Sequence, residues 1–163
     1  MGFFDELKDK ASDITTKTKE ITHRDIKPEF VDRYHELNNE KNLLDTYINR
    51  TDKLLAEDPS NTTIQNLAEQ HKSRYVVVNE ELDVIREKAA TLKERITEEK
   101  KVLETEMSVE HSALQDIEMA YSKGILSEEN YKVNQRQVNS KIRNFERKIE
   151  KIEKTLSYLF DIK

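Results

Sequence analysis

Four histidines, at positions 23, 35, 71 and 111, are the side chains of this sequence best suited to hold a metal or move a proton. Glu20 and His23 form a Glu-x-x-His pair, and Asp32 and His35 repeat the spacing with a shorter acid. Residues three apart share one face of a helix. Carboxylate-bridged metal sites in helical bundles need two Glu-x-x-His pairs and two further glutamates on facing helices. Only one true pair is present, at an expected helix end, so no metal ligand set is expected. His71 falls on an apolar stripe, where a half-buried, hydrogen-bonded imidazole is the simpler reading. Cysteine is absent, which excludes disulfides, thiol nucleophiles and thiolate metal sites. Two glycines in the whole chain exclude a glycine-rich phosphate loop. Acids are abundant on every expected helix surface and single out no catalytic pair. The chain is therefore read as no enzyme, with no cofactor and no small-molecule substrate.

Basic residues cluster late: Lys132, Arg136, Lys141, Arg143, Arg147, Lys148, Lys151 and Lys154. Residues 127–163 hold nine Lys/Arg and six Asp/Glu, a net +3. Residues 92–123 hold five Lys/Arg and eight Asp/Glu, a net −3. An acidic neighbour cancels much of the basic field, and no aromatic interleaving accompanies it, so a nucleic-acid surface is not expected. Complementary flanks instead favour pairing of these two stretches in an antiparallel coiled coil. The whole-chain charge of −5 gives no general attraction to nucleic acid or anionic lipid.

The elements that carry these charges are set by apolar periodicity. Apolar residues are 35% of the chain and charged residues 37%, against a usual apolar share of about 45–50% and a charged share of about 25%. Such a composition is compatible with disorder. Sustained steps of three and four decide against it, because a disordered chain has no reason to keep one apolar stripe. The breaks fall near Pro28, at Asp58-Pro59-Ser60-Asn61 and at Gly124. They divide a single domain, 1–163, into an amphipathic N-terminal helix at 1–24 and coiled-coil helices at 28–57, 61–123 and 127–161. The second stripe reads Phe30, Tyr34, Leu37, Lys41, Leu44, Ile48, Thr51, Leu55. The long third stripe runs from Ile64 and Leu67 through Val78, Leu82, Ile85, Ala89 and Leu103 to Tyr121, with stutters at 67–71–75 and 99–103–107. The fourth runs Tyr131, Gln135, Val138, Ile142, Phe145, Ile149, Ile152, Leu156, Leu159. Pro28 opens the second helix, Ser60 or Asn61 caps the third, Gly124 ends it, and Ser127 caps the fourth.

Arm lengths then fix an expected architecture. Folding the second helix back on the third sets Phe30 opposite Ala89, and folding the fourth back sets Phe160 opposite Ala90. The fold class is all-α: an elongated antiparallel coiled-coil, or helical-hairpin, rod about 90 Å long. One long central helix, about 62–123, carries shorter helices folded back on each half, whose ends meet at Ala89 and Ala90. The first helix is expected to continue the line of the second and pack on the other half as a third strand.

The first segment is the one stretch with a functional reading of its own. Phe3, Phe4, Leu7, Ala11, Ile14, Thr18 and Ile21 form one apolar face. That face is expected to contact partner helices or a membrane surface. Residues 1–22 carry four Lys and five acids, so the face lacks the basic border usual for interfacial helices. The opening Met-Gly-Phe-Phe-Asp-Glu-Leu-Lys-Asp resembles the amphipathic start of phage-shock-type membrane-remodelling proteins, which are also long helical hairpins; their first hairpin arm is much longer than 30–57. The stretch from Ala120 to Tyr131 is similar to the short helical hairpin found at many bacterial C-termini. Neither resemblance covers enough of the chain to assign a family. Acids directly after Phe4, and no run of 18 apolar residues, argue against a secretory leader and a membrane span. Glu6 stands where a myristoylation signal wants Ser or Thr. The expected protein is a cytoplasmic, non-enzymatic coiled-coil scaffold or adaptor. It self-associates, most simply as a dimer, or binds partner helices. The alternative is a peripheral membrane protein of the remodelling or stress type, working through the N-terminal helix.

Overall fold

The computed structural model describes residues 26–163, and every regular element among them is helical. Helix α1 spans Glu29–Glu57, α2 Thr62–Ser122 and α3 Glu128–Phe160. The expected helix at 1–24 lies outside the described residues. At about 1.5 Å per residue, α2 alone is about 90 Å long.

Local chemistry sets each boundary. Pro28 occupies the N-cap of α1 in an extended conformation (ψ 142°), and Glu29 and Asp32 place acids against the positive end of that helix. Between α1 and α2 it is Asn61 that caps: its Oδ1 accepts from the Ile64 amide at 3.2 Å. Ser60 donates instead to Asp58 at 3.3 Å, holding the turn. At the far end of α2, Gly124 adopts φ 76°. The Gly124 amide bonds the Tyr121 carbonyl at 3.0 Å and the Ile125 amide the Ala120 carbonyl at 2.9 Å, the paired closure of a glycine-terminated helix. Ser127 then accepts from the Asn130 amide at 3.2 Å and starts α3.

Helix α1 packs on the first half of α2, and α3 on the second. Cross-helix pairs give the directions. Arg33 meets Glu81 and Glu40 meets Arg74; Lys100 meets Glu153 and Glu110 meets Lys141. Numbers rise on one helix as they fall on the other. Leu37, Val78 and Leu82 are fully buried between α1 and α2, with Tyr34, Leu44 and Ile85 around them. Fully burying such a side chain contributes about 1.5–3 kcal/mol. Ile96, Leu103, Val138, Ile142 and Ile149 are buried along the other pair.

Val31, next to Phe30 and outside the expected stripe, is 1% exposed, and two further places depart from the expected stripes. Leu67 is 43% exposed while its neighbour Ala68 is 4% exposed. With Ala68 on the inner line, Ile64, Ala68, His71, Tyr75, Val78 and Leu82 follow steps of 4, 3, 4, 3 and 4, so the stutter expected at 67–71–75 is absent. At the centre, Ala89 is buried and packs with Leu159, whereas Ala90 faces outward. Phe160 does not insert there; it is 63% exposed with Lys93 Nζ 4.6 Å from its ring. Ile162, beyond the end of α3, takes the inner position. Phe30 and Ile162 each pack against both apolar clusters and join them into one core.

Candidate functional site

The junction around Ala89 is where the described chain brings the most elements together. The tail after α3 is fixed by its last backbone carbonyl. Arg86 Nε donates to the Lys163 oxygen at 2.7 Å, and the Tyr34 hydroxyl donates to it at 3.3 Å. Burial works to raise the Tyr34 pKa, but the Asn38 side chain, the Lys163 backbone and the Arg86 guanidinium outweigh it, and the phenol sits below its ordinary value. On the other side the chain entering α1 crosses α3. The Thr155 hydroxyl donates to the Ile26 carbonyl at 3.1 Å, and Lys27 Nζ lies 5.7 Å from the Tyr158 ring and 2.6 Å from Asp32.

Beside this junction an apolar groove runs along α2. Phe30 forms one wall, and Val77, Val84, Lys88, Thr91 and Leu92 line the floor and rim. Val77 and Val84 are 41% and 51% exposed. Charges border the groove without filling it. Arg33 reaches across to Glu81 at 2.9 Å, and this hydrogen bond raises the guanidinium further above its already high pKa. One heptad on, Arg74 hydrogen-bonds Glu40 and holds that carboxyl below the usual glutamate range. Of the charged residues that line the groove, Arg33 and Glu81 pair with each other.

The residues with possible chemistry are not gathered. His35 and His71 stack edgewise or tilted on Tyr34 and Tyr47, with centroids 5.7 and 5.3 Å apart. An aromatic contact thus takes the place of the hydrogen bond expected for His71. Among the described residues no group of three or more His, Asp or Glu is placed to hold a metal ion. The Glu20–His23 pair lies outside them. Along basic α3, Lys132, Lys141 and Lys154 each stand within 4 Å of a glutamate carboxylate. No helix among the described residues is long and apolar enough to cross a membrane.

Of the sequence-predicted interaction residues, Phe3, Phe4, Leu7, Ala11, Ile14 and Ile21 all lie outside the described residues. Of the groove flank on α2, the sequence marks Val77, with Val76 beside it, as apolar surface left outside the stripe, and both are exposed; Val84 was the part that sequence reasoning missed. Its signal was present: Val77 and Val84, and again Val102 and Val109, fall seven residues apart just beside the main stripe. No protein-family model, curated protein or solved structure matches this chain.

Proposed function

We propose that the protein is a non-enzymatic coiled-coil scaffold: a rod of two antiparallel helical pairs sharing one long helix, which self-associates, as a dimer, to present its ends and flanks to partner helices. The observation that supports this most is the apolar surface left uncovered on otherwise charged helices. Leu43, Leu54, Leu67, Val76 and Val77 are all more than 40% exposed on the first pair. A two-helix layer buries only one stripe per helix, and small domains are marginal already, so covering a second stripe adds stability. Charged borders give such contacts their register. A cytoplasmic location is part of the same proposal.

Sedimentation equilibrium across the micromolar range tests it. A dimer whose dissociation constant rises when Leu43, Leu54 and Val76 are replaced by Glu supports the reading. A monomer at every concentration removes self-association from it.

A further inference from the structure

Four valines mark one side of α2. Val77 and Val84 are seven residues apart, as are Val102 and Val109, and Val84 and Val102 are separated by eighteen, about five whole turns. All four therefore share one side of the helix. Val77, Val84 and Val109 are exposed, and Val102 is half-buried. The opposite side carries Arg86, Lys93 and Lys100, which meet the Lys163 carbonyl, the Phe160 ring and Glu153. The four valines are centred on position 93, one residue from the middle of Thr62–Ser122. A second α2 laid antiparallel on this side about that point overlaps the first along its whole length. It sets Val77 against Val109 of the partner subunit and Val84 against Val102 of the partner subunit, and each pairing occurs twice.

Charge selects the direction. Residues 26–90, the α1 half of the rod, hold nine Lys/Arg and thirteen Asp/Glu, a net −4. Residues 91–163 balance at fourteen of each, with the positive charge gathered on α3, where 127–163 are net +3. Lys148 and Lys151 lie on the side of α3 turned away from Glu153, which is the valine side of the rod. Neither has an ion-pair partner among the described residues. In the α1 half, the groove beside Phe30 is lined by Glu29, Glu80 and Glu87, likewise unpaired, against Lys88 and Arg95. An antiparallel pair sets the acidic half of each copy beside α3 of the other. A parallel pair sets the two acidic halves together, and that repulsion disfavours it.

We propose that the occupant of this flank is a second copy of this chain, in an antiparallel two-fold dimer centred near Lys93. Each half of the dimer is then a bundle of four helices: α1 and α2 of one copy with α2 and α3 of the other. The proposal rests on the self-association proposed above and adds its surface, direction and register.

Because the chain has no cysteine, introduced cysteines are the only labelling sites. Ala90 and Ser108 both face outward on α2. In the dimer, spin labels at Ala90 should lie within about 20 Å of each other, and labels at Ser108 about 45 Å apart, because position 108 falls level with position 78 of the other copy. Equal short distances at both sites mean a parallel dimer: self-association then stands and this arrangement falls. Val84→Glu with Val109→Glu changes two exposed side chains, so helical content should be unchanged while the dissociation constant from sedimentation equilibrium rises at least tenfold. A dimer that keeps its affinity in that variant uses another surface and overturns the proposal. Lys148→Glu with Lys151→Glu should weaken the dimer at low salt; an unchanged or tighter dimer overturns the antiparallel pairing. A chain that stays monomeric throughout removes self-association and this interface together.

Discussion

At the scale of single residues, charge and burial act in different places. Glu40 and Arg74 form a cross-helix pair on a partly exposed surface. The hydrogen bond from Arg74 is the main reason that the Glu40 carboxyl is held below its ordinary value. A carboxyl with a lowered folded pKa stabilises the fold above its unfolded pKa, and that contribution is lost as pH falls through the folded value. Arg74→Ala is therefore expected to lower the melting temperature slightly at neutral pH. The gap to wild type should stay constant down to the ordinary glutamate value of 4.5 and close below it. A gap that persists in acid would assign the effect to lost packing of the arginine stem. Leu37 supplies the contrast. It is fully buried, so Leu37→Ala should cost about 2–5 kcal/mol at any pH, read from urea unfolding.

At the scale of elements, the turns carry specific residues for specific reasons. Gly124 has φ 76°, and a Cβ added there meets nothing within 4 Å. The cost of Gly124→Ala is thus conformational alone, about 1–2 kcal/mol. Ser127→Ala removes the cap on α3 and should cost about 0.5–2 kcal/mol. Thermal unfolding monitored by circular dichroism checks both; a neutral Gly124→Ala would mean that the turn relaxes. These turns were readable in advance because Pro, Gly, Asn and Ser have backbone preferences that act locally. Most of the α1 and α3 stripes were readable too, since period alone decides which face is apolar. Leu67 and Ala68 were not, because the larger apolar side chain of two neighbours was taken for the inner one, whereas packing against α1 puts the small Ala68 inside and Leu67 out. Ile162 and Lys163 follow the last helix and belong to no period, so their inward position left no trace in the sequence. The candidate site fared worse than the fold. The valine pairs 77/84 and 102/109 mark an apolar flank, but the ion pairs beside it have no spacing that sets them apart from any charged helix surface.

At the scale of the whole molecule, the junction decides whether two helical pairs behave as one body. Helix α2 alone couples them weakly, since a helix can fray or bend between two packed regions. Phe30 and Ile162 add a direct link, each packing against both apolar clusters. Arg86 and Tyr34 add a polar one by holding the Lys163 carbonyl. With the link intact, the protein should unfold in one transition whose calorimetric and van't Hoff enthalpies agree. Phe30→Ala combined with deletion of residues 161–163 removes both kinds of contact while leaving Leu37, Val78 and Leu82 in one pair and Leu103, Val138 and Ile142 in the other. The two pairs should then melt separately. Differential scanning calorimetry would show a broadened or split endotherm, with the calorimetric enthalpy exceeding the van't Hoff value. Leu92→Ala, which trims one cluster without touching the link, should lower the melting temperature and keep a single transition. A sharp two-state melt in the doubly altered chain would show that α2 by itself transmits the cooperativity, and the packing of the start of α1 and the end of α3 at Ala89 would then be a matter of local stability.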